Sequence, residues 1–155
     1  MSFTAIYIAG YAEDQLAFWF PATKLIHAAD VFFGLLPNVY TIRAEPARDA
    51  IAFVKAARII QSYNAEVLYP SHRHALIGKD NIYRLIGKTA DVIQYIHDQT
   101  VRLLGKGYTS EVVARMIKLP QWYTSEPLMG EVRYDDLVCI LVASNGHLLV
   151  DETSI

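Results

Sequence analysis

Three observations predict an α/β fold. Short runs of β-branched and aromatic residues alternate with turn residues over positions 3–42, the apolar period becomes that of a helix from Ala47, and helical periodicity returns after Gly78 and persists. Strand, loop, helix, strand is the order of a layered α/β unit. The chain has 155 residues, one domain's worth, and can bury roughly 68–70% of its unfolded surface without disulfides or a structural metal.

Phe3 to Ala9 reads as a strand running into a turn at Gly10. Gln15 to Phe20 and Lys24 to Ala29 read as two strands of a hairpin around Pro21-Ala22-Thr23, with Asp30 where the second ends. Val31 to Leu36 is apolar, Pro37-Asn38 breaks it, and Val39 to Ile42 is another short extended piece. From Ala47, residues Ala50, Phe53, Val54, Ala57, Ile60 and Gln61 fall on one helical face, and Asn64 is a suitable left-handed end. Glu66 to Tyr69 is a short strand stopped by Pro70.

Asp80 to Leu104 is predicted as a long helix with Ala90, Ile93, His97, Val101 and Leu104 along one stripe, ended by Gly105 and Gly107. Thr109 is expected to cap a short helix that packs through Val112, Val113, Met116 and Ile117, with Glu111 in the first turn to suit the helix dipole. Leu137 to Ala143, a Ser-Asn-Gly turn and His147 to Val150 resemble a hairpin.

Composition excludes several classes of function. Fourteen Lys+Arg against sixteen Asp+Glu give no basic field for nucleic acid, and 53% hydrophobic residues exclude a disordered chain. The longest uncharged stretch, Leu137 to Val150, is shorter than the roughly 18–20 apolar residues of a membrane span. Met-Ser-Phe-Thr carries no basic leader, so a cytoplasmic location is expected. Cys139 is the single cysteine, set in an apolar run as a small hydrophobe. The mean hydropathy of +0.20 is high for a small monomer and suggests apolar surface meant for a partner.

Three places bear residues of chemical interest. Pro70-Ser71-His72-Arg73-His74 follows a short strand, and on an extended segment His72 and His74 would share a side, as metal ligands or as plain loop histidines. Asp30 ends an apolar strand, where burial is costly unless the carboxylate is paired or metal-bound; capping the next turn is the alternative. Asn38, Tyr40 and Arg43 offer an amide, a phenol and a guanidinium fork suited to a tetrahedral anion, although Arg43 could instead pair with Glu45.

In order, Gly10-Tyr-Ala-Glu-Asp-Gln-Leu-Ala-Phe-Trp-Phe-Pro21, Ala28-Ala29-Asp30, Asn38-Val-Tyr-Thr-Ile-Arg43, Tyr69-Pro-Ser-His72 and Ile93-Gln-Tyr-Ile-His-Asp-Gln-Thr-Val-Arg102 resemble the C-terminal half of metallo-β-lactamase-fold alkyl sulfatases, over about residues 3–128. The resemblance implies half of an αββα domain over 1–78, a helical dimerisation region over 79–128 and a divergent tail over 129–155. It implies a two-zinc hydrolase of sulfate esters, with Asp30 as bridging carboxylate, His72 as the last histidine ligand, and Arg43 with Asn38 and Tyr40 at the sulfate. It also implies a homo-oligomer.

The sequence departs from that family in what it lacks. No His-x-His-x-Asp-His run is present, Tyr11 stands where the wider fold often has a ligand histidine, and Gln15 stands where alkyl sulfatases have a ligand glutamate. Two ligands do not complete a catalytic zinc site, which takes three plus an open position. The expectation is therefore a truncated chain, inactive alone and binding no metal unless another chain supplies the missing half. The alternatives are a non-catalytic dimerising module that has lost metal binding, or a small-anion binder using Arg43, Arg73 and His74.

Overall fold

The structure, a computed structural model, describes residues 2–32, 36 and 49–125. Strands β1 (Thr4–Tyr7), β2 (Leu16–Phe20) and β3 (Leu25–Ala29) are followed by helix α1 (Ala50–Ser62), strands β4 (Val67–Pro70) and β5 (Leu76–Ile77), and helices α2 (Lys79–Leu104), α3 (Ser110–Met116) and α4 (Gln121–Thr124). The five strands form one sheet in the order β1-β2-β3-β4-β5. Only β3 and β4 run parallel; the other neighbours are antiparallel. A parallel pair needs a long crossover, and α1 lies within it.

The β2–β3 hairpin forms where the turn residues place it. Lys24 takes a left-handed φ of 47°, and its carbonyl accepts from the Glu66 and Val67 amides at 2.9 and 3.3 Å, fixing the start of β4 beside the start of β3. Asn64 also takes the expected left-handed conformation, at φ 50°. The residue that starts α1 is Asp49, whose carboxylate accepts from the amides of Ile51 (2.8 Å) and Ala52 (3.0 Å).

Alternation along β2, β3 and β4 buries one face of the sheet. Ala17, Ile26, Ala28 and Leu68 share a single apolar cluster with Phe53, Val54, Ala57 and Ile60 of α1 and with the buried stripe of α2. Trp19 leaves the sheet to meet Tyr63 at the end of α1, with ring centroids 5.3 Å apart. Gln61 of α1 donates to the Tyr83 carbonyl of α2, and Arg58 pairs with Asp91 across the same two helices.

Two helices bury only part of the faces expected: Ala90 and Ile93 of α2, and Val113 and Ile117 at α3, are buried as predicted. On α2 the buried stripe is Ile82, Leu85, Ile86, Ala90, Ile93, Ile96, Thr100 and Leu103, while Val101 is exposed. Buried Thr89 and Thr100 satisfy their hydroxyls on the carbonyls four residues earlier, at 3.1 and 2.8 Å, so residues that look polar lie on the core side. On α3, Val113, Ala114 and Ile117 are buried, whereas Val112 and Met116 face outward. Thr109 makes no side-chain cap bond to the backbone. Glu111 instead accepts from its own backbone amide and then from the Thr109 hydroxyl, which holds its carboxyl below the usual value. The short strand β5 and helix α4 were not legible in the sequence.

No helix among the described residues is long and apolar enough to cross a membrane.

Candidate metal centre

The parallel strands β3 and β4 end side by side, and both candidate ligands lie just past those ends. The register between the strands slips between His27 and Ala29; Ala29 adopts φ 46°, and its carbonyl accepts from the Ser71 amide at 3.0 Å. That irregularity turns the chain at Asp30 and ties the following loop, Ser71 onward, to the same edge. Carboxyl ends of adjacent parallel strands are where open α/β sheets place their ligands.

Asp30 Oδ1 lies 3.4 Å from His72 Nε2, with the Asp30 side chain 23% exposed and that of His72 70% exposed. This is ion-pair range but longer than the roughly 2.7–2.9 Å of a charge-assisted hydrogen bond. Asp30 Oδ1 is itself buried without a hydrogen-bond donor, so this oxygen does not cap the next turn. Two ligands of a tetrahedral zinc, each about 2.0–2.1 Å from the ion, stand about 3.3–3.4 Å apart. The observed spacing matches that edge, and a buried carboxylate oxygen lacking a donor is what a cation would satisfy.

His74 does not join the pair. Arg73 takes φ 72° and the segment bends instead of running extended, so the alternation that would set His72 and His74 on one side does not operate. His74 is exposed. Gln15, just before β2, is a further polar side chain at this end of the sheet. Its carbonyl accepts from the Ile8 amide at 3.0 Å, and the β2–β3 register, continued past the last paired residues, sets it level with Asp30. The Gln15 Oε1 atom is buried without a hydrogen bond.

Among the described residues no three His, Cys, Asp or Glu side chains form a group able to hold a metal. The donor types at Asp30 and His72 fit a divalent ion; their number falls short of the three protein ligands a catalytic zinc takes. Asn38, Tyr40 and Arg43 lie outside the described residues, as does the expected hairpin within 137–150. His27 escaped notice in the sequence because it sits mid-strand among aliphatic residues; its Nδ1 is buried without a hydrogen bond.

No protein-family model matches the chain. It is 32% identical over 116 residues to a linear primary-alkylsulfatase of Pseudomonas sp., covering 74% of this chain and 22% of that protein. It is 30% identical over 112 residues to an alkyl/aryl-sulfatase of Saccharomyces cerevisiae, covering 70% and 17%. The chain thus spans about a fifth of the length of the curated relatives it matches. Among solved structures, a stereoselective inverting sec-alkylsulfatase of Pseudomonas sp. superposes with a TM-score of 0.80 at 19% identity, over 87% of this chain and 22% of that one. A metallo-β-lactamase family protein of Thermus thermophilus superposes with a TM-score of 0.56 at 12% identity, over 97% of this chain and 44% of that one. The five-stranded sheet with its helices is the mixed α/β arrangement those folds share. Sequence and fold together make the matched part of this chain a segment of the alkylsulfatase family, built on the metallo-β-lactamase fold.

Proposed function

We propose that Asp30 and His72 are two ligands of a divalent-metal centre in a sulfate-ester hydrolase, and that the remaining ligands come from outside the described residues, including another polypeptide. The observation that carries this reading is the 3.4 Å approach of His72 Nε2 to a buried Asp30 oxygen that has no hydrogen bond. The names of the relatives, alkylsulfatases, support the substrate class. A bound ion supplies the polarisation of the ester and the activation of water. Asp30 holds negative charge at the buried side of the centre, His72 brings a neutral imidazole from the solvent side, and Arg43 with Asn38 and Tyr40 takes the sulfate through a guanidinium fork. Zinc, as two ions in the completed site, suits a carboxylate and an imidazole.

With only two ligands the isolated chain binds metal weakly and does not turn over alkyl sulfates. Calorimetric titration with zinc, alongside an alkyl-sulfate assay, tests this. Weak binding abolished in Asp30→Asn and His72→Ala, without turnover, is expected; zinc binding that neither substitution changes refutes the assignment.

A second reading is a non-catalytic module that pairs with its own copy through residues 79–128. The exposed Val101, Tyr108, Val112, Met116 and Trp122 favour it. A monomer by light scattering at micromolar concentration refutes that reading.

A further inference from the structure

Asp30 and His72 each follow a residue that takes part in one shared backbone hydrogen bond, in which the Ser71 amide donates to the Ala29 carbonyl at 3.0 Å. Ala29 also pairs with Pro70, past the register slip of the β3–β4 ladder. The residues just before the two candidate ligands are thus tied together, and beyond that tie Asp30 Oδ1 and His72 Nε2 stand 3.4 Å apart. Both side chains are short, so the direction in which each leaves the tie is set by the backbone beside it.

That backbone is unusual at both ligands. Among the described residues, four other than glycine take a left-handed φ: Lys24, Ala29, Asn64 and Arg73. Lys24 turns the β2–β3 hairpin and Asn64 follows the end of α1, places where such a φ terminates an element. Ala29, at φ 46°, comes immediately before Asp30, and Arg73, at φ 72°, immediately after His72. An L side chain in this region costs free energy, and neither alanine nor arginine has the short polar group with which asparagine or aspartate eases it. Ala29 is also the second residue of a turn closed by the Val31 amide on the Ala28 carbonyl at 3.2 Å, a place where positive φ favours glycine, asparagine or aspartate. Strained backbone of this kind persists where its surroundings over-determine it, and it gathers at functional sites.

We infer, on the reading of Asp30 and His72 as metal ligands, that Ala29 and Arg73 are positioning residues: their left-handed backbone, and not their side chains, turns the two ligands toward one ion. With either residue relaxed to an extended or right-handed conformation, the neighbouring ligand swings away and the pair no longer spans one edge of a coordination tetrahedron. Glycine keeps the left-handed region open, whereas a β-branched residue is excluded from it. Paired substitutions therefore separate backbone from side chain: Ala29→Gly against Ala29→Val, and Arg73→Gly against Arg73→Val, the latter two losing the same charge. Calorimetric titration of the full chain with zinc reads the result, and helical circular dichroism confirms that each variant is folded. Both glycine variants are expected to bind zinc at least as tightly as the parent. Both valine variants are expected to bind it roughly fivefold or more weakly, because only a small fraction of the chain then presents both ligands together. Arg73 is exposed, so Arg73→Val carries the test even where valine at the partly buried Ala29 disturbs folding. Valine variants that bind like the parent, or glycine variants that lose as much affinity as valine, overturn the inference while Asp30→Asn and His72→Ala still abolish binding. Zinc binding indifferent to Asp30→Asn and His72→Ala refutes the metal reading itself, and the positioning roles with it.

Discussion

Gly10 meets the backbone of Phe53 so closely that a Cβ at Gly10 would lie 2.6 Å from Phe53 Cα and 2.7 Å from its amide nitrogen. The turn after β1 therefore seats directly on the first turn of α1, and Gly10 holds φ 138°, a conformation side chains disfavour. Neither neighbour can give way, since the clash is with helix backbone. Gly10→Ala is expected to cost about 2–4 kcal/mol, read by urea unfolding. An unchanged midpoint would show that the turn and α1 do not meet.

The Asp49 carboxylate satisfies two amides at the start of α1, at 2.8 and 3.0 Å. Asp49→Ala is expected to cost about 1 kcal/mol, while Asp49→Asn, also a good cap, loses less than half of that. The same unfolding assay ranks the two variants.

Asp30 and His72 predict a metal-dependent stability. Zinc added in excess is expected to raise the melting temperature by a few degrees, as mass action through a weak site filled at about ten to a hundred times its dissociation constant contributes about 1–3 kcal/mol. Asp30→Asn and His72→Ala are each expected to abolish the shift, and a chelator to reverse it.

Tyr123 predicts an alkaline limit. It is 3% exposed, and burial pushes its phenol well above the ordinary value of 10, opposed in small part by the Leu36 backbone. The folded state therefore keeps the proton after the unfolded chain has lost it, so the contribution of Tyr123 is full below pH 10 and falls as pH rises above it. Tyr123→Phe is expected to remove that part of the alkaline slope, with neutral-pH stability changed by less than about 1 kcal/mol. Thermal melts between neutral and strongly alkaline pH separate the two proteins.

The sequence made the elements with a clean period legible. β2, β3, α1 and β4 fall within a few residues of their expected bounds, because Pro21 follows the end of β2, Pro70 is the last residue of β4 and the α1 stripe is uninterrupted. The α2 stripe differs from the expected one at Val101 because Thr89 and Thr100 hide their hydroxyls on carbonyls of their own helix and pass for surface residues. β5 is two residues long and exists by pairing Leu76 and Ile77 with β4, a tertiary cause that no local pattern announces. At the site, Asp30 and His72 lie 42 residues apart in the chain, and their meeting depends on the parallel β3–β4 pairing. His74 departs from expectation for a backbone reason: the left-handed Arg73 ends the alternation.

The rings on β2, β3 and β4 have a consequence for how the chain is made. Phe18 and His27 stand with centroids 6.3 Å apart and His27 and Tyr69 6.4 Å apart, on neighbouring strands. Phe20 leaves the ribosome 49 residues before Tyr69, which completes the row. At about 5–20 residues per second that gap lasts roughly 2–10 s. During it the nascent chain presents an unfinished aromatic surface, so its yield in cells depends on chaperone supply and on the speed of translation.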